Sequence, residues 1–137
     1  MRILAVDYGT ARTGLAVCDV LETIATPLVS VPSRNEEKLL AEIARVVKER
    51  QIEKIILGCP RRTDGAVSEM EEKAVRFAGL LHECTGLCPE LVDERYTTVI
   101  ASQRLHENDR RAREQRSVID AAAAAVLLED YLRRRKT

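Results

Sequence analysis

Three apolar runs crowd the start of the chain: RILAV at 2–6, TGLAVC at 13–18, and a third from Thr23 to Val31. The gaps between them fall short of the dozen or so residues that a crossover between parallel strands needs. They therefore predict an antiparallel meander, with glycines bounding the first turn and Pro32 ending the third strand. After residue 35 the period changes. Leu39, Leu40, Ile43, Val46 and Val47 share one face of a helix over 35–50, and Ser33 or Asn35 offers a cap. KIILG at 54–58 is a short apolar run of the kind buried in parallel sheets. A helix from about Ser68 to Cys84, a strand at Glu90–Val92, and helices at Thr97–His106 and Val118–Arg134 complete the reading.

The order β-β-β-α-β-α-β-α-α predicts an α/β fold, a mixed five-stranded sheet with helices on both faces. It is the element order of the ribonuclease-H-like fold. No repeat or linker interrupts it, so residues 1–137 are expected to form a single domain. A chain 45% hydrophobic and 32% charged fits a globular protein and excludes a disordered one. No apolar run approaches the roughly 20 residues that span a membrane. Asp7 and Gly9 interrupt any signal-peptide pattern at once. The expectation is a cytoplasmic protein with no membrane partner. The four cysteines are too scattered for a disulfide framework and read as reduced structural thiols. Cys84, Cys88 and His82 give only a faint metal signal, because no second CxxC accompanies them.

The first strand runs straight into an acid, Asp7, and a desolvated carboxylate without a partner is costly. LVDERYTT repeats the arrangement, with Asp93 and Glu94 just past a later strand. Sites in open α/β sheets form beyond the carboxyl ends of the strands, so these acids are expected to be neighbours. A third acid, Asp120 in RSVIDAAAAAVLLEDYL, reads as lying in the first turn of the last helix, where five alanines allow close packing on the sheet. Clustered carboxylates repel unless a cation stands between them. Hard oxygen ligands suit Mg²⁺ or Mn²⁺, and such ions activate water and steady the leaving oxygen in phosphodiester cleavage.

Each acid also has a plainer reading. Ser117 and Asp120 have the spacing of a capping box; Asp93 caps the next helix or pairs with Arg95; Asp7 is a turn residue held by backbone N–H groups. Other chemistries fit less well. DYGTARTG lacks the Lys-Ser/Thr of a P-loop, and two helical histidines without a nucleophile elbow argue against a triad. CPRRTDG would need a tighter run of backbone donors to serve Cys59 as a phosphatase-like nucleophile. D-x-G-T recurs in the ATP-binding relatives of actin and hexokinase, which need two such domains.

The formal net charge is zero, but its distribution is uneven. From Arg95 onward ten Lys/Arg face six Asp/Glu, leaving +4 there and −4 in the rest. The excess lies in RLHENDRRAREQR and the terminal RRRK, either a solvated face or a grip on phosphates.

DYGTARTGLAV, ILGCPRRTDG, DERYTT and DAAAAAVLLEDY resemble, in order and spacing, the motifs of the YqgF/RuvX family. Its members are small bacterial proteins similar to Holliday-junction resolvases and described as nucleases of precursor 16S ribosomal RNA. The resemblance covers essentially the whole chain. It implies a ribonuclease-H-like nuclease using Mg²⁺ or Mn²⁺, with Asp7, Glu94 and Asp120 as catalytic metal ligands. Asp93 becomes a further ligand or a residue orienting Arg95. Arg12, Arg61, Arg62, Arg95, Arg110, Arg111, Arg113 and Arg116 become candidates for phosphate contact. Ala11 stands where the family often has lysine, and Arg62 where its G-L-P-x-N pattern has asparagine. The implied partners are precursor ribosomal RNA or branched DNA, with ribosomal particles besides, for a monomer or homodimer. The competing class is a nucleic-acid-binding factor without catalysis, acting in transcription or ribosome assembly.

Overall fold

A computed structural model describes residues 1–9, 11–59, 69–93 and 112–135, with the backbone alone at 59, 69–70, 93 and 112–120. The helix expected at Thr97–His106 lies outside them. The described elements are β1 (Ile3–Tyr8), β2 (Arg12–Cys18), β3 (Ala25–Pro32), α1 (Glu36–Glu49), β4 (Lys54–Cys59), α2 (Glu69–Thr85), β5 (Glu90–Asp93) and α3 (Ala112–Arg135). The sheet order is β3-β2-β1-β4-β5. β1, β2 and β3 pair antiparallel as the short gaps require, while β1, β4 and β5 run parallel.

Side-chain alternation sorts the core into two layers. Leu4, Val6, Leu15, Val17, Ile55 and Leu57 pack with Leu39, Ile43 and Val46 of α1 and Phe77 and Leu81 of α2. Ile3, Ala5, Ala16, Cys18, Ile56 and Val92 pack on the other face with Ala124, Leu127, Leu128 and Tyr131 of α3. The alanine run does what small side chains allow: Ala121, Ala123, Ala124 and Ala125 are all buried where α3 meets the sheet.

Local chemistry explains the element ends. Asn35 caps α1 by accepting from the Lys38 N–H at 3.1 Å, and Glu36 and Glu37 occupy its positive first turn. Ser33, the other candidate cap, is used elsewhere. Gln51 follows α1 at φ 54°, the left-handed conformation that ends many helices, and accepts from Arg2 Nη1 at 2.7 Å. β3 is an edge strand, which tolerates Pro27 and Pro32 within it.

Two boundaries differ from the sequence reading. Asp7 is inside β1, not past it, because the ladder continues through Asp7–Gly14 and Tyr8–Thr13. The last helix begins at Ala112 rather than Val118. The strong helix formers of AREQR carry it through Ser117, so Ser117 and Asp120 are interior positions and no capping box exists there. Among the described residues no helix is long and apolar enough to cross a membrane.

Candidate functional site at the carboxyl edge of the sheet

One row of the sheet defines the site. Register aligns Ser30 of β3, Gly14 of β2, Asp7 of β1, Gly58 of β4 and Val92 of β5 across all five strands. Ile3 and Ala5 face α3, and the two-residue period puts the Asp7 side chain on that same face. Its cross-strand neighbours are therefore Gly14 and Gly58, which have no side chain to offer it. Asp7 is half-buried, and no hydrogen bond or ion pair joins its carboxylate to a described residue. Neither glycine can supply a charge or a side-chain hydrogen bond to the acid. The sequence reveals the acid but not the paired glycines, since register links Gly14 to Gly58 only through the folded sheet.

α3 runs antiparallel to β1. Tyr131, near its C-terminal end, meets Glu90 and Lys54, the first residues of β5 and β4. Position 120 lies eleven residues back, about 16 Å along a helix. Asp7 lies four residues beyond Ile3, the register partner of Lys54, or ~13 Å along a strand. The two positions thus share one level. The stripe of α3 that meets the sheet (Ala124, Leu127, Leu128 and Tyr131) also arrives at position 120 when continued back by four, seven, eight and eleven residues. The helix backbone thus carries position 120 toward the carboxyl edge of the sheet, the edge that holds Asp7. Asp93 ends β5, opposite Cys59 and one row beyond Val92. Glu94 lies outside the described residues. Among the described residues no three metal-ligating side chains form a group.

The candidate cations divide the same way. Arg12 opens β2 on the α3 face, and its Nε donates to Ser30 Oγ at 2.7 Å, which holds it along the row that contains Asp7. Arg113 and Arg116 belong to α3, one to two turns before position 120, rather than to a loop. Arg61, Arg62, Arg95, Arg110 and Arg111 fall outside the described residues. Cys59 closes β4 at this edge; of the other thiols, Cys18 is buried against Ile3 N–H and its pKa is raised by desolvation, while Cys84 and Cys88 are exposed.

The opposite edge is organised by mutual neutralisation. Glu90 accepts from the Tyr131 hydroxyl at 2.5 Å and from Lys54 Nζ at 3.2 Å. The Tyr131 bond first, and Lys54 after it, holds the Glu90 carboxyl below its usual range. Arg135 pairs with Glu22 at 3.0 Å and lies over the Tyr131 ring.

Comparison with known proteins agrees with this architecture. The family model described as "RuvX: Holliday junction resolvase" matches residues 1–134. A protein of Anaeromyxobacter dehalogenans (strain 2CP-1) is 39% identical over 98% of this chain and 98% of its own. One of Anaeromyxobacter sp. (strain Fw109-5) is 41% identical over 96% of each, and one of Rhodopirellula baltica is 37% identical over 96% of this chain and 76% of its own. All three carry the name "Putative pre-16S rRNA nuclease". Thermus thermophilus RuvC aligns over 99% of this chain and 96% of its own with a TM-score of 0.59 and 14% identity. The Fowlpox virus resolvase, solved with Holliday junction DNA, aligns over 100% of both chains with a TM-score of 0.56 and 14% identity. At such identities the likeness is one of fold, the ribonuclease-H-like fold that the element order predicts.

Proposed function

The chain belongs to the RuvX family, and on that premise we propose that it is a divalent-metal-dependent endonuclease acting on structured nucleic acid. Its proposed substrate is the 5′ region of precursor 16S ribosomal RNA, met in the cytoplasm and on ribosomal particles. The observation that carries the reading is Asp7 on the α3 face between Gly14 and Gly58, without an ion pair to a described residue. A folded chain keeps such a carboxylate at a cost unless a cation compensates it.

Asp7 and Asp120 would hold Mg²⁺ or Mn²⁺ together with Glu94, which is proposed on the resemblance of DERYTT to the family's motif. Asp93 is the alternative ligand. A metal held there would supply an activated water and charge neutralisation at the leaving oxygen. The protein's own part is to fix the carboxylates, keep the two positions flanking Asp7 free of side chains, and neutralise phosphates on either side. Arg12 would do this from β2, with Arg61, Arg62, Arg95, Arg110, Arg111, Arg113 and Arg116 proposed on sequence. Replacing any one of these arginines by alanine should lower the salt dependence of binding by about one charge.

A second reading keeps the site and changes the substrate to branched DNA. It is favoured by the family model's description, and cutting a four-way junction symmetrically would call for a homodimer rather than a monomer. Matched assays on precursor 16S RNA and on a four-way DNA junction, each with Mn²⁺ and with Asp7→Asn beside the native protein, separate the readings. RNA cleavage that Asp7→Asn abolishes is the expected result. Junction cleavage alone would move the assignment to DNA. Nucleic-acid binding without cleavage of either, unchanged by Asp7→Asn, would leave the binding-only class.

A further inference from the structure

Thr13 is the one fully buried polar side chain among the described residues, and its hydroxyl lies 2.8 Å from Ser33 Oγ. Ser33 Oγ donates to the Gly9 carbonyl at 2.7 Å. A carbonyl only accepts, so the single Ser33 proton is committed to Gly9, and Thr13 must be the donor in the other bond. The Ser33 N–H donates to the Ala11 carbonyl at 2.9 Å. Ser33 thus ties down two carbonyls of the connection between β1 and β2, and Thr13 fixes the rotamer that does so.

The connection has little slack. A Cβ on Gly9 would stand 2.4 Å from the Arg12 carbonyl. The β1–β2 ladder extends as far as Tyr8–Thr13, one row beyond Asp7. Past that row the hydroxyl of Ser33 takes over. Ser30, three residues earlier on β3, receives Arg12 Nε, so two serines of one strand-end engage both flanks of the turn. Helix capping, the ordinary use for a serine before α1, falls to Asn35.

We infer that Ser33 is a positioning residue of the acid site, holding the end of β1 that presents Asp7 and the start of β2 that presents Arg12. The inference rests on the metal-site reading above. Ligands must be held within about half an ångström to bind a metal well, and loss of an outer partner typically weakens metal affinity about 10–100-fold.

The test uses the metal-free protein without substrate and Mn²⁺ as the probe, with free Mn²⁺ followed by its electron paramagnetic resonance signal. Amide exchange at position 33 is read alongside. Ser33→Ala should weaken Mn²⁺ binding about tenfold and speed that exchange. Ser33→Thr should restore both, and Thr13→Val should give a smaller loss, because it removes only the bond that orients Ser33. Mn²⁺ binding that Asp7→Asn abolishes and Ser33→Ala leaves intact overturns this inference alone, whatever happens to thermal stability. Binding that Asp7→Asn leaves intact overturns the metal-site reading and this inference with it.

Discussion

At the amino edge of the parallel strands Glu90 is held by the Tyr131 hydroxyl and the Lys54 ammonium, whereas at the carboxyl edge Asp7 stands between two glycines. The same sheet and the same helix, α3, supply both ends. At one end a carboxylate is neutralised within the chain, which suits a structural role. At the other it has no ion pair with a described residue, and it is the carboxylate proposed above to hold a cation. The contrast separates stability from function by position: acids of the amino edge should support folding and matter little to cleavage, and Asp7 should serve cleavage at some expense to folding.

The strongest way to break that contrast is to exchange the effects. Asp7→Asn should reduce metal-dependent cleavage at least about a hundredfold, the several kcal/mol expected when a metal ligand is removed. Tyr131→Phe should leave cleavage unchanged and lower stability by about 1 kcal/mol in urea unfolding, a charge-assisted hydrogen bond discounted for its part-exposed carboxylate. A cleavage defect in Tyr131→Phe would show that the two ends are coupled through α3. Acid sharpens the contrast further. Asp19 accepts from Thr23 Oγ1 at 2.5 Å, Thr23 N at 2.7 Å and Ile24 N at 3.1 Å, and these bonds lower its pKa to about 2. A depressed carboxyl stabilises the fold above its ordinary pKa of 3.8, and that contribution fades as pH falls through about 2. Urea midpoints measured between these values should decline less steeply for Asp19→Asn than for the native protein. The smallest effect is expected at Gln51, where glycine at φ 54° should gain a few tenths to about 1 kcal/mol, offset in part by loss of the Arg2 bond.

Much of the architecture is legible in the sequence because its signals are local. Short apolar runs mark the strands, and Leu39, Ile43 and Val46 mark the buried face of α1, as found. Asp7 is legible as an acid out of place. What cannot be read depends on register or on competition between local signals. Gly14 and Gly58 become the neighbours of Asp7 only once β2 and β4 have paired with β1. Ser33 resembles a helix cap, and its bond to Gly9, 24 residues away, is a contact of the folded turn. The start of α3 escapes a local reading because Ser117 and Asp120 have cap spacing, while the helix-forming residues before them prevail.

The central claim is that Asp7 is kept at the carboxyl edge for a cation, at some expense to the fold. Thermal unfolding of the native protein and of Asp7→Asn, each with and without Mn²⁺, tests it most directly. Without metal, Asp7→Asn should be the more stable, by about 0.5–2 kcal/mol as for other relieved functional sites. With Mn²⁺ the native midpoint should rise through ligand binding to the folded state, while that of Asp7→Asn stays where it was. An Asp7→Asn protein that is less stable without metal, or that gains as much from Mn²⁺ as the native chain, would contradict the account.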